Sequence, residues 1–451
     1  MEAERPPRGG PLARLGLGRR ELLGWASYDW ANSAFYTVVV TAVYPIFFGA
    51  YAVGEGVAPG VASSRHAMAT FWSLLVVALL SPFLGAMADY GGVKKKLLAL
   101  FLLLGVAATG GLWLVGPGDW ELAAVLFAVA NVGVVGSVVF YDSLLPHVAR
   151  DEELDRVSAA GFALGYLGGG LLLAGSVWAI AQPQAFGFPD VFTAMRWSFL
   201  AVALWWAVFS LPLFLWVREP PRRLEADERL GMGVARVAVT RLAETFRELR
   251  QYRQAFLLLL AVMVYADGIG TIIRMATLYG EELGLPRTAM IGAVLMIQFL
   301  GIPFTLLFGA LGSRIGTRRA IFLGLAVYVG ISVYGYFLRS AVGFFVLGAM
   351  VAMVMGGTQA LSRSLFASVV PRHKTSEFFG FFAIFEKFAG ILGPLLFAVL
   401  ATQTGSTRNA ILGVVAFFVV GAALLALVDV DEGRRVARAA ELEVRRAAPS
   451  A

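Results

Sequence analysis

The chain has 451 residues, 59% of them hydrophobic and 15% charged, with a mean hydropathy of +0.75. Soluble domains run near ~45–50% apolar and about 25% charged, so an ordinary soluble enzyme is excluded, and apolar blocks of this length also exclude disorder, collagen and coiled coil. The net charge is +7, Cys is absent, and the three His (His66, His147, His373) lie far apart in sequence, where they are expected in or beside loops. That removes disulfides, thiolate zinc and iron–sulfur clusters, and leaves a His-rich metal or haem site without ligands; no metal and no cofactor is expected.

A helix of ~20 apolar residues crosses a hydrocarbon core of ~30 Å. The polar, Arg-rich segment 1–21 has no A-x-A-like cleavage site after it, so the first apolar block is expected to be a retained span rather than a signal peptide. Twelve spans are predicted, at 22–50, 67–88, 96–116, 120–141, 158–181, 194–217, 254–280, 288–312, 319–338, 342–367, 377–402 and 409–428. With the N-terminus inside, the inner segments hold 30 of the 37 Lys and Arg and the outer loops 5; Arg274 and Lys387 fall within spans. That asymmetry predicts both termini in the cytoplasm. The expected organisation is an N-terminal tail (1–21), a six-helix half (22–217), a basic linker (218–253), a second six-helix half (254–430) and a C-terminal tail (431–451). Within the linker, 236–252 reads as a basic amphipathic helix, either lying on the inner membrane surface or solvated. The tail from Asp431 is expected to be a frayed helix. Anionic lipids are the expected partners of the inner basic loops. The charge excess is accounted for by topology and calls for no nucleic acid, and no dedicated dimer interface is visible, so a monomer is expected.

The halves echo each other. Gly85-x-x-x-Asp89-x-x-Gly92-x-Lys94-Lys95 follows the second span, and Gly309-x-x-x-Ser313-x-x-Gly316-x-Arg318-Arg319 follows the eighth, offset by 224 residues throughout. Ser143-Leu144 and Ser364-Leu365 correspond at an offset of 221, and Gly161-Phe162 and Gly380-Phe381 at 219. Equal topology on both sides makes these parallel repeats, the relation between the two halves of a major facilitator transporter. The first copy closely resembles the cytoplasmic loop motif of that superfamily. Gly85 permits close helix approach, Asp89 accepts hydrogen bonds from a neighbouring helix end, Gly92 permits the turn, and Lys94 and Lys95 meet anionic lipid. Ser313 replaces the Asp in the second copy, so a charge latch is expected in the first half alone.

A narrower resemblance rests on Trp25, Tyr28, Asp29, Trp30, Asn32 and Phe35 with Tyr44-Pro45. Further motifs are Tyr141-Asp142-Ser143, Gly165-Tyr166-Leu167-Gly168-Gly169, Tyr265-Ala266-Asp267-Gly268 and Gly356-Gly357-Thr358-Gln359-Ala360-Leu361-Ser362-Arg363-Ser364. The sequence resembles the autophagy-related vacuolar amino-acid effluxers and their bacterial relatives across the transmembrane region. The resemblance implies transport, with amino acids as the cargo of the fungal members. The run through Gly161, Gly165 and Gly169 also resembles the fifth-span motif of proton-driven antiporters, but Tyr166 stands where that motif has Pro, and antiport is not inferred.

Ionisable groups within spans are functional candidates by default. Asp29, with Asn32 and Tyr36 nearby on the first span, is either a cavity wall offering a proton or amine partner, or a structural latch. Asp267, Thr271 and Arg274 share a face of the seventh span; Asp267 and Arg274 suit the two ends of a zwitterion, or partners on other helices. Glu386 is a second proton-carrier candidate. Lys387 follows it about 100° around the helix, so each needs a separate partner. Gln298 and Gln359, like Asn131, are candidates for substrate hydrogen bonds or for helix–helix contact.

The expected function is secondary transport of a small polar solute, amino acids among the candidates, by alternating access, with proton coupling as one energy source. No P-loop sequence occurs, so the chain by itself is not an ATP-driven pump. A membrane-embedded transferase would need clustered His, Asp or Glu at one membrane face, which the sequence lacks. A receptor or scaffold on the same fold, or a drug or metabolite efflux carrier, are the alternatives. A prokaryotic inner membrane is the expected location.

Overall fold

The computed structural model describes residues 10–53, 59–221, 240, 251–282, 284–404 and 407–447. Among these, all regular structure is helical. After a single turn at Pro11–Arg14, the first half comprises α1 (Arg20–Ala52), α2 (Pro59–Gly91), α3 (Lys94–Gly111), α4 (Trp120–Val148), α5 (Leu154–Ala181) and α6 (Val191–Trp216). The second comprises α7 (Arg253–Glu282), α8 (Arg287–Ile315), α9 (Thr317–Tyr336), α10 (Ala341–Val369), α11 (Thr375–Thr404) and α12 (Arg408–Ala426), and is followed by α13 (Val430–Ala447). Eleven of these are long and apolar enough to cross a membrane, so the chain is a multi-pass membrane protein; α11, which carries Glu377, Glu386 and Lys387, is outside that set.

The apolar stretches become helices because lipid offers no partner for backbone N–H and C=O groups, which must pair within the segment. Polar residues mark the ends: Asp190 accepts from the Thr193 N–H at 2.8 Å to start α6, and Ser340 from the Gly343 N–H at 3.1 Å to start α10. α1 is unbroken but runs in wide π-turns over Phe35–Val43 and Phe48–Ala52; Thr41 donates to the carbonyl of Tyr36, five residues back, at 2.8 Å. Such turns often mark functional segments of membrane helices.

Packing repeats between the halves. α1 packs on α5 and α6 as α7 does on α11 and α12, α2 on α4 as α8 on α10, and α3 on α6 as α9 on α12. The halves meet through α2 against α11 and α5 against α8, again an equivalent pair. The parallel repeat read from the motifs is therefore a pseudo-twofold of the whole bundle.

Both ends of the bundle lie on one face, called here the terminal face. Arg19, just before α1, donates to the carbonyl of Val148 at 3.2 Å and pairs with Glu153; Lys95 of α3 donates to the carbonyl of Phe214 in α6 at 2.9 Å; and the Gln254 side chain receives the Asp429 N–H at 2.9 Å. Two expectations change here, and a third goes untested. The segment from Asp431 is an ordered 18-residue helix, because Ala437 and Ala440 are buried and Gly433 rests against Val369 of α10. His66 lies inside α2 rather than in a loop, its ring 5.0 Å from that of Phe127 and 5.5 Å from that of Tyr44. The helix expected at 236–252 falls almost wholly outside the described residues.

Candidate functional site

The densest buried polar cluster joins the two halves near the terminal face. Its centre is Arg363, within α10 and inside the predicted span 342–367. The guanidinium is almost fully buried and donates in every direction: Nη1 to Asp142 at 3.0 Å, Nη2 to Asp29 at 3.0 Å and to the Ser158 carbonyl at 3.0 Å, and Nε to the Ser158 hydroxyl at 2.9 Å. Asp29 is on α1, Asp142 on α4 and Ser158 on α5, so one side chain of the second half gathers three helices of the first. Aromatic faces complete the shell: the guanidinium carbon lies 4.4 Å from the ring centre of Phe162 and 4.8 Å from that of Trp25. Trp25 stacks on Tyr141 at 4.6 Å and donates to its carbonyl at 3.0 Å. The planar fork of Arg suits this multidentate, stacked role, which Lys would not reproduce.

The cluster holds two carboxylates against one guanidinium. Each carboxylate keeps a little access, the Asp29 and Asp142 side chains being 11% and 10% exposed. Tyr36 and Glu386 lie within electrostatic reach of the pair, and Glu386 is exposed in the middle of α11. The structure thus brings Asp29, Tyr36 and Glu386 of the sequence candidates into one neighbourhood. Asn32, one turn beyond Asp29, is buried, and its Nδ2 has no hydrogen-bond partner among the described residues.

Asp267, Thr271 and Arg274 form a separate cluster. Asp267 is fully buried; its Oδ2 accepts the Gly393 N–H of α11 at 2.8 Å, its carbonyl accepts from Thr271 at 2.7 Å, and its Oδ1 lies 3.9 Å from the half-exposed Arg274. The carboxylate therefore holds α7 to α11 within the second half. Gln298 and Gln359 are half-buried on α8 and α10, the former against Gly170 of α5. The side chain of Lys387 lies outside the described residues.

The loop motif is built as a joint between halves. A Cβ on Gly85 would overlap the backbone of Ser376, so only Gly lets α2 meet the start of α11 there. Asp89 accepts the Glu377 N–H at 3.0 Å and pairs with Lys94 at 2.8 Å; Lys94 also reaches Thr375 at 2.5 Å and His147 at 3.2 Å. Gly92 turns with φ +62°, and Lys95 closes on the end of α6. The echo in the second half closes through hydroxyls on a carboxylate that the first half supplies. Asp155, at the start of α5, accepts from Thr317 at 2.8 Å and from Ser364 at 2.5 Å, while Ser313 bonds back to its own helix at the Gly309 carbonyl, 3.0 Å away.

Arg363 and Asp142 were quoted from sequence only within motifs, Ser158 and Asp155 not at all, and none of the four was a site candidate. The available signal was an Arg and an Asp inside otherwise apolar helices, each of which requires a buried partner.

This arrangement, two six-helix halves related by a parallel repeat and closed on one face by buried polar contacts, is that of major facilitator transporters. Solved structures with this fold include the human organic anion transporter MFSD10, which superposes with a TM-score of 0.64 at 16% identity over 92% of this chain and 100% of its own. The proton:xylose symporter XylE gives 0.68 at 13% identity, over 91% and 95%. The family described as "Vacuole effluxer Atg22 like" matches residues 17–438, and the chain belongs to that family. The MFS-type transporter YxiO of Bacillus subtilis (strain 168) is 37% identical over 422 residues, 92% of this chain and 96% of its own length. Autophagy-related protein 22 of Coccidioides immitis (strain RS) is 24% identical over 536 residues, 93% of this chain and 88% of its own. YxiO and the two structural neighbours are transporters, not enzymes.

Proposed function

We propose that the chain is a secondary transporter that moves a small polar solute by alternating access between its halves. In this reading α11 is the twelfth span, the terminal face is cytoplasmic, and the protein resides in a prokaryotic inner membrane. The observation that carries the reading is the Arg363 cluster. A buried guanidinium bound to two carboxylates of the opposite half closes one face, and alternating access requires that contact to open. Amino acids are the first cargo to test, because the family resemblance implies them.

Proton coupling follows from the charge balance. Asp29 and Asp142 share Arg363, so the buried trio carries one net negative charge, with Glu386 nearby. Buried uncompensated charge is costly, and uptake of a proton by either carboxylate loosens its hold on Arg363. Protonation and opening are then linked, with the Asp29–Asp142 pair as the coupling site.

The test is uptake of labelled amino acids into proteoliposomes, with and without an inward-acid pH gradient. The expected result is transport stimulated by the gradient in the wild type and insensitive to it in Asp142→Asn. Gradient-stimulated transport unchanged in Asp142→Asn would remove the coupling assignment. No transport of any amino acid, with transport of another solute class, would remove the cargo and keep the carrier.

A further inference from the structure

The helix after the last span, α13, lies outside the internal repeat and is seated on the second half. Gly433 rests against Val369 of α10 and Gln254 of α7, and Ala437 and Ala440 are buried. Arg434 Nε donates to the Ser368 hydroxyl of α10 at 3.3 Å, and Asp429 caps the start of the helix by accepting the Glu432 N–H at 2.9 Å. These contacts make α13 part of the second half.

From that seat α13 reaches across to the first half. Asp151, in the connection between α4 and α5, takes Arg438 of α13 on Oδ2 at 3.3 Å. Its Oδ1 takes Arg372, in the connection between α10 and α11, at 3.1 Å. Arg372 is itself braced by α13, its backbone N–H donating to Glu441 Oε1 at 2.9 Å. Asp151 and Arg372 are 221 residues apart, as are Asp142 and Arg363. Each pair therefore joins equivalent positions of the two halves. The Asp142–Arg363 pair is the buried layer of the closure, and the Asp151–Arg372 pair is its exposed layer. α13 adds a second cation, and a brace, to the exposed layer.

We propose that α13 is a strap that stabilises the state closed on the terminal face. Opening carries α13 and Arg372 away with the second half and leaves Asp151 with the first. Contacts made in one state alone shift the population toward that state. Exposed ion pairs add little to folding stability and more when they form a network, but an equilibrium between two conformers moves several-fold on a term of that size. Salt screens exposed pairs, so the strap loosens as ionic strength at this face rises. The proposal rests on the alternating-access reading and adds a regulator to its closure.

The experiment uses the full-length protein. The chain has no Cys, so thiols introduced at Arg218, exposed just after α6, and at Arg314, exposed at the end of α8, place one spin label on each half at the terminal face. Distances between the labels in nanodiscs report opening. Arg438→Gln is expected to raise the open fraction about threefold. Raising NaCl from about 0.05 M to about 0.5 M should open the wild type similarly and the variant less. In an Asp151→Ala background Arg438→Gln should add nothing, because Arg438 acts through Asp151. Arg435→Gln, an exposed α13 residue paired with Glu432 of its own helix, should keep the wild-type distances. Wild-type distances in Arg438→Gln, an equal shift in Arg435→Gln, or a full further shift from Arg438→Gln in the Asp151→Ala background would each overturn the strap. Asp142→Asn separates this failure from that of the wider reading. If Asp142→Asn opens the face and Arg438→Gln does not, the strap alone falls; if neither opens it, alternating access at this face falls with it.

Discussion

The two joints between the halves occupy equivalent places and are held differently. Where α2 meets α11, the carboxylate belongs to the loop motif: Asp89 reaches across to the Glu377 N–H while Lys94 balances its charge. Where α8 meets α5, the motif position is Ser313, which bonds to its own helix, and the carboxylate comes from the far side as Asp155. Gly92 and Gly316 turn with positive φ at the same motif position, so the backbone course is preserved while the charge has changed owner. The pseudo-twofold therefore constrains where the halves touch and leaves open which half supplies the polar group. The first joint is an ion pair with a backbone cap; the second has hydroxyls as its donors. The first should be the more costly to break, because removing Asp89 leaves a buried Lys behind.

The Arg363 cluster lies between the joints, and its loss is expected to have the largest effect. Arg363→Gln strands two buried carboxylates, at a cost of about 3–5 kcal/mol, and should lower Tm strongly and abolish transport; Arg363→Lys should recover stability only in part. Next, Asp89→Ala should destabilise by about 3 kcal/mol and Asp155→Ala by about 1–2 kcal/mol, measured as paired Tm shifts. Equal shifts would erase the distinction between the joints. Ser313→Ala should lie within about 0.5 kcal/mol of wild type, whereas Ser313→Asp, which sets a second carboxylate near Asp155, should cost stability that Asp155→Asn restores. Asp190 is the control, a carboxylate capping α6 within its own half. Asp190→Ala should cost about 1 kcal/mol and leave transport unchanged. The Thr193 N–H holds the Asp190 carboxyl below its usual range. Its contribution is thus present at neutral pH and is lost as the pH falls through that lowered value, a loss the Ala variant should not show.

Much of this architecture is legible in the residues. Blocks of apolar sequence, the skew of Lys and Arg, and the constant offset between Gly85 and Gly309 lead to a two-half membrane bundle without any coordinates. Asp29 and the loop motif announce themselves because a charge in an apolar helix is conspicuous. Arg363 was missed although it lies in a quoted motif, since its position near a span end allowed its charge to be read as a topological marker. Asp155 was missed because it stands among the charges of a loop, 162 residues from Thr317, one of its partners.

The sequence by itself determines the class of solvent, the helical period of the apolar segments and the internal repeat, because hydrophobic burial and helix length are properties of each segment alone. Only the tertiary structure decides that Arg363 takes Asp29 and Asp142 as partners, that Asp267 holds α11, and that Asp155 replaces the missing Asp at the second joint. Hydrogen bonds and ion pairs act over a few ångströms between helices far apart in sequence, and the order of residues along the chain does not encode which helix ends will meet.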